Sequence, residues 1–271
     1  MVYLRTIKNP FTIEGVGIHT GKKSVLSVKP SESGNRAFIV DGVRIGANVR
    51  NVVDTRRSTT LGIDGKTVST VEHILAALYL AGIDSCDIEV EGVEIPILDG
   101  AAKIWLEEIK SAGVEELSAL KPAPIIIKEP MFITYEGAEF VLLNGDDKKL
   151  KAYYSISIAD TFIDAMIAGG EVFAPDVIEQ TIIARTYGLE REVKALIEAG
   201  LALGGSLENA VIIGQDKYIN DDVKPNEPAW HKLLDLMGDL SLTERAICGE
   251  IIAIKGGHRS HVKLAEKLAC L

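Results

Sequence analysis

The 271-residue chain is predicted to adopt an α+β fold of two similar domains, each a sheet with a helix pair. Three observations carry this. The length suits one large domain or two of ordinary size. The stretch ELSALKPAPIII, residues 116–127, has two prolines that interrupt the pattern before a strand-like run. That boundary gives domains 1–120 and 121–271. The two halves also repeat one order of elements: strands, a helix, a strand, a helix.

In the first half, FTIEGVGI and SVLSVKP alternate as strands do. STVEHILAALYLAGI reads as a helix. CDIEVEGVEIPIL reads as β structure, with Gly92 at a turn or bulge. DGAAKIWLEEIKSAG reads as a second helix, N-capped by Asp99 and stopped near Gly113. In the second half, PIIIKEPMFITY and KLKAYYSISI are strand-like. EPAWHKLLDLMGDL is a helix whose Trp230, Leu233, Leu234 and Met237 form one apolar stripe. CGEIIAIKGG follows as a strand and HRSHVKLAEKLACL as the closing helix. Periodicity leaves open whether helices pack on helices.

The composition, 47% hydrophobic and 25% charged, is that of a globular protein with a sizeable core. A net charge of −10 argues against generic binding to nucleic acid or an anionic membrane. The start, MVYLRTIKNPFTIEG, has no signal-peptide pattern, and the longest apolar run, ILAALYLAGI, is about half a membrane span. Stable membrane insertion is therefore not expected. Cys86, Cys248 and Cys270 have no paired spacing, so they read as free thiols in a reducing, cytoplasmic setting. The oligomeric state is left open, a monomer included.

Beside the apolar stripe of EPAWHKLLDLMGDL runs a second row: His231, Asp235 and Asp239, each one turn apart. His231 and Asp235 can share one metal ion, or form an ordinary i,i+4 pair. His73 is the natural third ligand, because it too lies in the first turn of the first helix of its half. Two such helix starts can meet if the halves face each other about a pseudo-twofold. Glu72 can take a proton from a metal-activated water; alternatively Ser69 and Glu72 form a capping box. His258 follows a glycine pair at a helix start, where it is either an ordinary helix-start residue or, beside Asp239, a cationic general acid. Lys232 and Lys255 can supply positive charge to a phosphate or an oxyanion. ALGGSLENA is glycine-rich without phosphate-loop spacing.

The segments GVGIHTG, STVEH, EIPILDG, ARTYG, LGGS, HKLLDLMGDL and KGGH occur in this order over nearly the whole chain. In this the sequence closely resembles the UDP-3-O-acyl-N-acetylglucosamine deacetylase family, zinc enzymes of lipid A synthesis. The resemblance implies helices sandwiched between two sheets. It implies one Zn²⁺ held by His73, His231 and Asp235, with Glu72 as general base. It implies His258, supported by Asp239, as general acid or electrostatic partner. Thr186 would bind the oxyanion, Lys232 and Lys255 would meet polar groups of the substrate, and the segment from Arg185 to Gly205 would line an acyl-chain passage. Arg185 and Leu189 count as substrate-binding on this basis, and Leu189, Val193, Leu196 and Ile197 do form an apolar stripe. The sequence departs from the family pattern at Ala101 (Ser is common), Tyr187 (Phe), Trp230 (Arg) and His261 (Asn). These departures bear on substrate preference and phosphate contacts. The rival readings are a zinc amidase for another acylated sugar and a non-catalytic sugar-nucleotide-binding module.

Overall fold

The computed structural model describes residues 2–145 and 148–271. Six helices are described: α1 Glu72–Leu80, α2 Lys103–Ala112, α3 Pro175–Ile182, α4 Glu190–Glu198, α5 Glu227–Leu240 and α6 His258–Ala269. None is long and apolar enough to cross a membrane.

The repeated order of elements produces two sheets of one topology. In the first, the strands run in the order Phe11–Val16, Lys23–Pro30, Cys86–Glu91, Arg36–Val40, Val43–Gly46. In the second they run Met131–Tyr135, Ala138–Leu143, Ile247–Ile254, Leu150–Ile156, Met166–Glu171, with Ile125–Ile126 added beside Ile247–Ile254. In each sheet two hairpins flank the strand that comes last in that sheet along the chain, and the only parallel pairing on this path joins that strand to the second hairpin. A parallel neighbour needs a long crossover, and a helix supplies it. In the first half the crossover carries α1; in the second it carries α3, α4 and α5.

Alternation puts Leu26, Val28, Phe38 and Ile88 on the inner face of the first sheet and Phe140, Leu142, Tyr154 and Ile251 on that of the second, all fully buried. The helices fill the space between. α1 is buried along its length except at Tyr79, and α5 except at Trp230 and Lys232. A helix apolar on nearly every side belongs in the middle of a protein. α1 packs directly on α5, with α2 beside α1 and α6 beside α5.

Two local expectations are corrected. Ser69 does not cap α1; its Oγ donates to Val93 O, and Val71 occupies the cap position without a side-chain bond. The Glu72 carboxylate instead accepts from the backbone of Thr59. Asp99 does not cap α2, which begins at Lys103 after Ala102. Its Oδ1 accepts from Ala101 N at 3.2 Å, a turn made within the loop before the helix. Gly113 does end α2, with φ of 75°.

The α1–α5 crossing is tightest where Gly238 meets Glu72. A Cβ on Gly238 would overlap the Glu72 carbonyl oxygen and lie 2.8 Å from its carbon. Backbone cannot retreat as a flexible side chain would. Gly238→Ala should therefore cost about 1–3 kcal/mol of stability, the range for overpacking a well-packed core. Denaturant midpoints check this; an unchanged midpoint would show that the helices separate at little cost.

Candidate metal centre

α1 and α5 cross so that His73, in the first turn of α1, and His231, one turn into α5, point into one cluster. The His73 and His231 rings stand edge to face, 5.1 Å between centroids. Asp235 Oδ1 lies 3.3 Å from His231 Nε2 and 3.8 Å from His73 Nε2. All three residues are almost fully buried. His231 Nδ1 donates to Ala184 O at 3.0 Å. A carbonyl only accepts, so the proton is on Nδ1 and the Nε2 lone pair faces the cluster. Asp235 Oδ1 is buried and has no hydrogen-bond donor. Burial, with His231 nearby, depresses the pKa of His73 to about 3. The cluster thus offers two neutral imidazoles and a carboxylate with an orphaned oxygen. These three residues could hold a metal ion, and the set of N and O donors suits zinc with one position left open.

Lys232 Nζ donates to the other Asp235 oxygen at 2.9 Å. Burial works against the Asp235 carboxylate, but Lys232 and the surrounding imidazoles outweigh it and hold its pKa well below the usual range.

Glu72 stands on the far side of this cluster. Its Oε2 accepts from Thr59 N at 3.0 Å, and its Oε1 lies 3.8 Å from His258 Nε2. Burial raises its pKa to about 8; His258 opposes this, and the Asp239 and Asp235 carboxylates add to it. For His258, burial disfavours the charged ring, yet Asp239, Glu72 and Asp235 prevail and lift its pKa to about 9.

Asp239 is fully buried and meets three donors. Thr59 Oγ1 donates to its Oδ1 at 2.6 Å, and the Nδ1 atoms of His258 and His261 donate to its Oδ2 at 3.0 and 2.9 Å. With Nδ1 of His261 protonated, its Nε2 accepts from the Tyr154 hydroxyl at 2.7 Å. His258 is therefore held at one end of a buried chain that runs back to the second sheet.

The cluster opens into a cleft of about 800 Å³. One wall is apolar: Leu189, Val193, Leu196 and Ile197 from the start and face of α4, with Ile212. Thr186, Lys232 and Lys255 line it beside His73, His231 and Asp235, as does Tyr187. The Lys232 ammonium sits 5.6 Å from the Tyr187 ring centroid. Arg185 is a correction. It is absent from the cleft wall; its Nε donates to Glu227 Oε1 at 2.8 Å and its Nη2 to Asp222 Oδ1 at 3.1 Å. Successive residues of an extended segment point to opposite sides. With Thr186 on the cleft, Arg185 turns inward and ties the start of α5.

The wall segment is anchored on the first half by close backbone approach. A Cβ on Gly100, whose φ is 77°, would overlap Asn209 O, and one on Gly204 would overlap Gly17 O. Thr186 N also donates to Gly100 O at 2.8 Å. These glycines account for part of the motifs GVGIHTG, EIPILDG and LGGS.

Sequence reasoning assigned no role to His19, Thr59 or Tyr154. His19 lines the cleft, and its backbone amide donates to the buried Glu94 at 2.9 Å. Its place inside GVGIHTG was a usable signal. Thr59 lies in a loop and Tyr154 in a strand, where nothing in the local pattern marks them.

The model of the family described as LpxC, UDP-3-O-acyl N-acetylglycosamine deacetylase, matches residues 4–270. Proteins named UDP-3-O-acyl-N-acetylglucosamine deacetylase are similar over almost the full length. That of Leptospira biflexa is 36% identical over 283 residues, covering 98% of this chain and 89% of its own. That of Citrifermentans bemidjiense is 36% identical, covering 99% and 89%. That of Chlamydia muridarum is 35% identical, covering 97% and 94%. With a match from residue 4 to residue 270 and the buried histidine–carboxylate cluster at its centre, the chain belongs to the UDP-3-O-acyl N-acetylglycosamine deacetylase family.

Proposed function

We propose that the protein hydrolyses the N-acetyl group of UDP-3-O-acyl-N-acetylglucosamine to the free amine and acetate, in lipid A synthesis, with Zn²⁺ at His73, His231 and Asp235. The observation that carries this reading is the convergence of those three side chains near Glu72, in a cleft with one apolar wall. Family membership supplies the substrate class. Cys86 and Cys270 as free thiols support a reducing compartment, the cytoplasm.

Zn²⁺ bound there would acidify a water and, by its charge, draw the Glu72 carboxyl toward its basic form. Glu72 takes the proton of the attacking water as its oxygen adds to the acetyl carbon. Thr186, one of the residues lining the cleft, donates its hydroxyl to the oxyanion that develops on the acetyl oxygen. His258, kept cationic by Asp239, stabilises that charge or passes its proton to the departing nitrogen as the C–N bond breaks. Lys232 and Lys255 meet the polar groups of the sugar nucleotide. The wall formed by Leu189, Val193, Leu196 and Ile197 takes the 3-O-acyl chain.

That wall favours this substrate over an amide with no acyl chain. The purified protein should bind one zinc per chain. His231→Ala should lose it along with activity, and a chelator should abolish turnover until zinc is restored; full activity in metal-free protein would refute the assignment. Glu72→Ala should lower kcat by about 10²–10⁴, the usual contribution of a positioned general base, with zinc content and substrate affinity retained. Equal loss of binding would instead make Glu72 a binding residue. Val193→Trp should raise KM for the acylated substrate while sparing the slow turnover of the analogue without the acyl chain. Equal effects on both would remove the acyl chain from this wall.

A further inference from the structure

α1 carries Glu72 at one end. At the other, its last turn closes a separate cavity of about 280 Å³, where the strand Tyr3–Ile7 and the turn after α5 meet it. This cavity lies outside the catalytic reading and does not depend on it.

Its lining is cationic although the chain as a whole carries −10. Arg5, Arg36, Lys121 and Arg245 face it, against two carboxylates, Asp84 and Glu244. Two of the cations are already engaged. Lys121 pairs with Asp84 at 2.8 Å, and Arg245 donates to the carbonyls of Ala123 and Pro124. Glu244 accepts from Asn35.

Arg36 and Arg5 are left over. Arg36 is only 6% exposed. Among the described residues the one hydrogen bond of its side chain runs from Nη2 to Ser241 O at 2.6 Å, and it has no ion pair. A guanidinium has five N–H donors, and a buried charge without a counter-ion is costly. The Arg5 guanidinium lies over Gly82, where a Cβ would come within 2.9 Å of its Nη1, and its side chain likewise makes no ion pair among the described residues. A third group is the Tyr79 hydroxyl, which is buried beside the Ile247 backbone amide and donates to no acceptor. The Tyr79 ring packs against Phe173, centroids 5.5 Å apart, and gives the cavity an apolar side.

We propose that this cavity is a binding site for a compact phosphate monoester, its oxygens taken by Arg36, Arg5 and the Tyr79 hydroxyl and its apolar body resting on Tyr79 and Phe173. Two guanidinium groups without ion pairs, Arg36 with only Nη2 engaged, match the charge and the oxygen geometry of a phosphate dianion. The volume falls just below the usual 300–1,000 Å³ of small-molecule sites, so it admits a phosphate on about one ring and excludes a nucleotide sugar. A ligand there would tie α1 to the turn after α5 where the two halves meet.

Phenyl phosphate titrated into the full chain by calorimetry, with crystals soaked in the same compound, tests this. The expected result is one site, with density for the phosphate beside Arg36 and Arg5. Binding should weaken about tenfold or more in Arg36→Met and Arg5→Met and several-fold in Tyr79→Phe, while phenol fails to bind. If Arg36→Met does not fold, Arg5→Met and Tyr79→Phe carry the comparison. No binding, density confined to the catalytic cleft, equal binding of phenol, or an affinity unchanged in the folded variants would each overturn the proposal. None of these outcomes bears on zinc content or deacetylation, so the two readings fail separately.

Discussion

The contact on which the molecule depends is the crossing of α1 over α5, where Gly238 lies against the backbone of Glu72. Glycine lets two helices approach more closely than side chains permit. That approach puts the first turn of α1 beside the face of α5 that carries His231, Asp235 and Asp239. A bulkier residue at 238 would push Glu72 outward and spread the imidazoles of His73 and His231, now 5.1 Å apart. Metal ligands tolerate displacements of only tenths of an ångström. The packing requirement and the chemical requirement therefore fall on the same residue.

The second constraint is electrostatic. Glu72, Asp235 and Asp239 are all buried near one another. Unpaired carboxylates there would be severely disfavoured. Each is compensated differently. Asp239 takes three hydrogen-bond donors and works as a fixed anion that orients His258 and His261. Asp235 is held ionised by Lys232 and the imidazoles, yet keeps one oxygen without a donor. Glu72 is the least compensated and its proton affinity rises accordingly. A carboxylate whose proton binding is poised near neutrality is the one suited to moving protons. His261 joins the same network through Asp239 and Tyr154, with both ring nitrogens bonded.

Much of this was readable from residue order. The repeat of strand, helix, strand, helix in each half is present in the hydrophobic pattern, because alternation and the 3.6-residue period are set by which faces are buried. The i,i+4 spacing of His231, Asp235 and Asp239 fixes them on one helix face whatever the rest of the chain does. The separate errors were local and had local causes. Ser69 and Asp99 carry the residue types of helix caps, but the backbone enters each helix two or three residues later and their side chains bond elsewhere. Arg185 lies inside a motif of the cleft, yet the alternation of an extended segment sends it to Glu227 instead.

The sequence by itself determined α1, α2, α5, α6 and several of the strands, the spacing of His231, Asp235 and Asp239 along α5, and the resemblance that named the candidate set. It could not determine that His73 and His231, 158 positions apart (231 − 73), would meet. Nor could it show that Thr59 and Tyr154 would join Asp239 and His261, or that Arg36 and Tyr79 would face a cavity with hydrogen-bond donors unused. Those are facts of tertiary structure. Periodicity records whether a side chain is buried, whereas its partner depends on how separate helices and sheets are brought together in space.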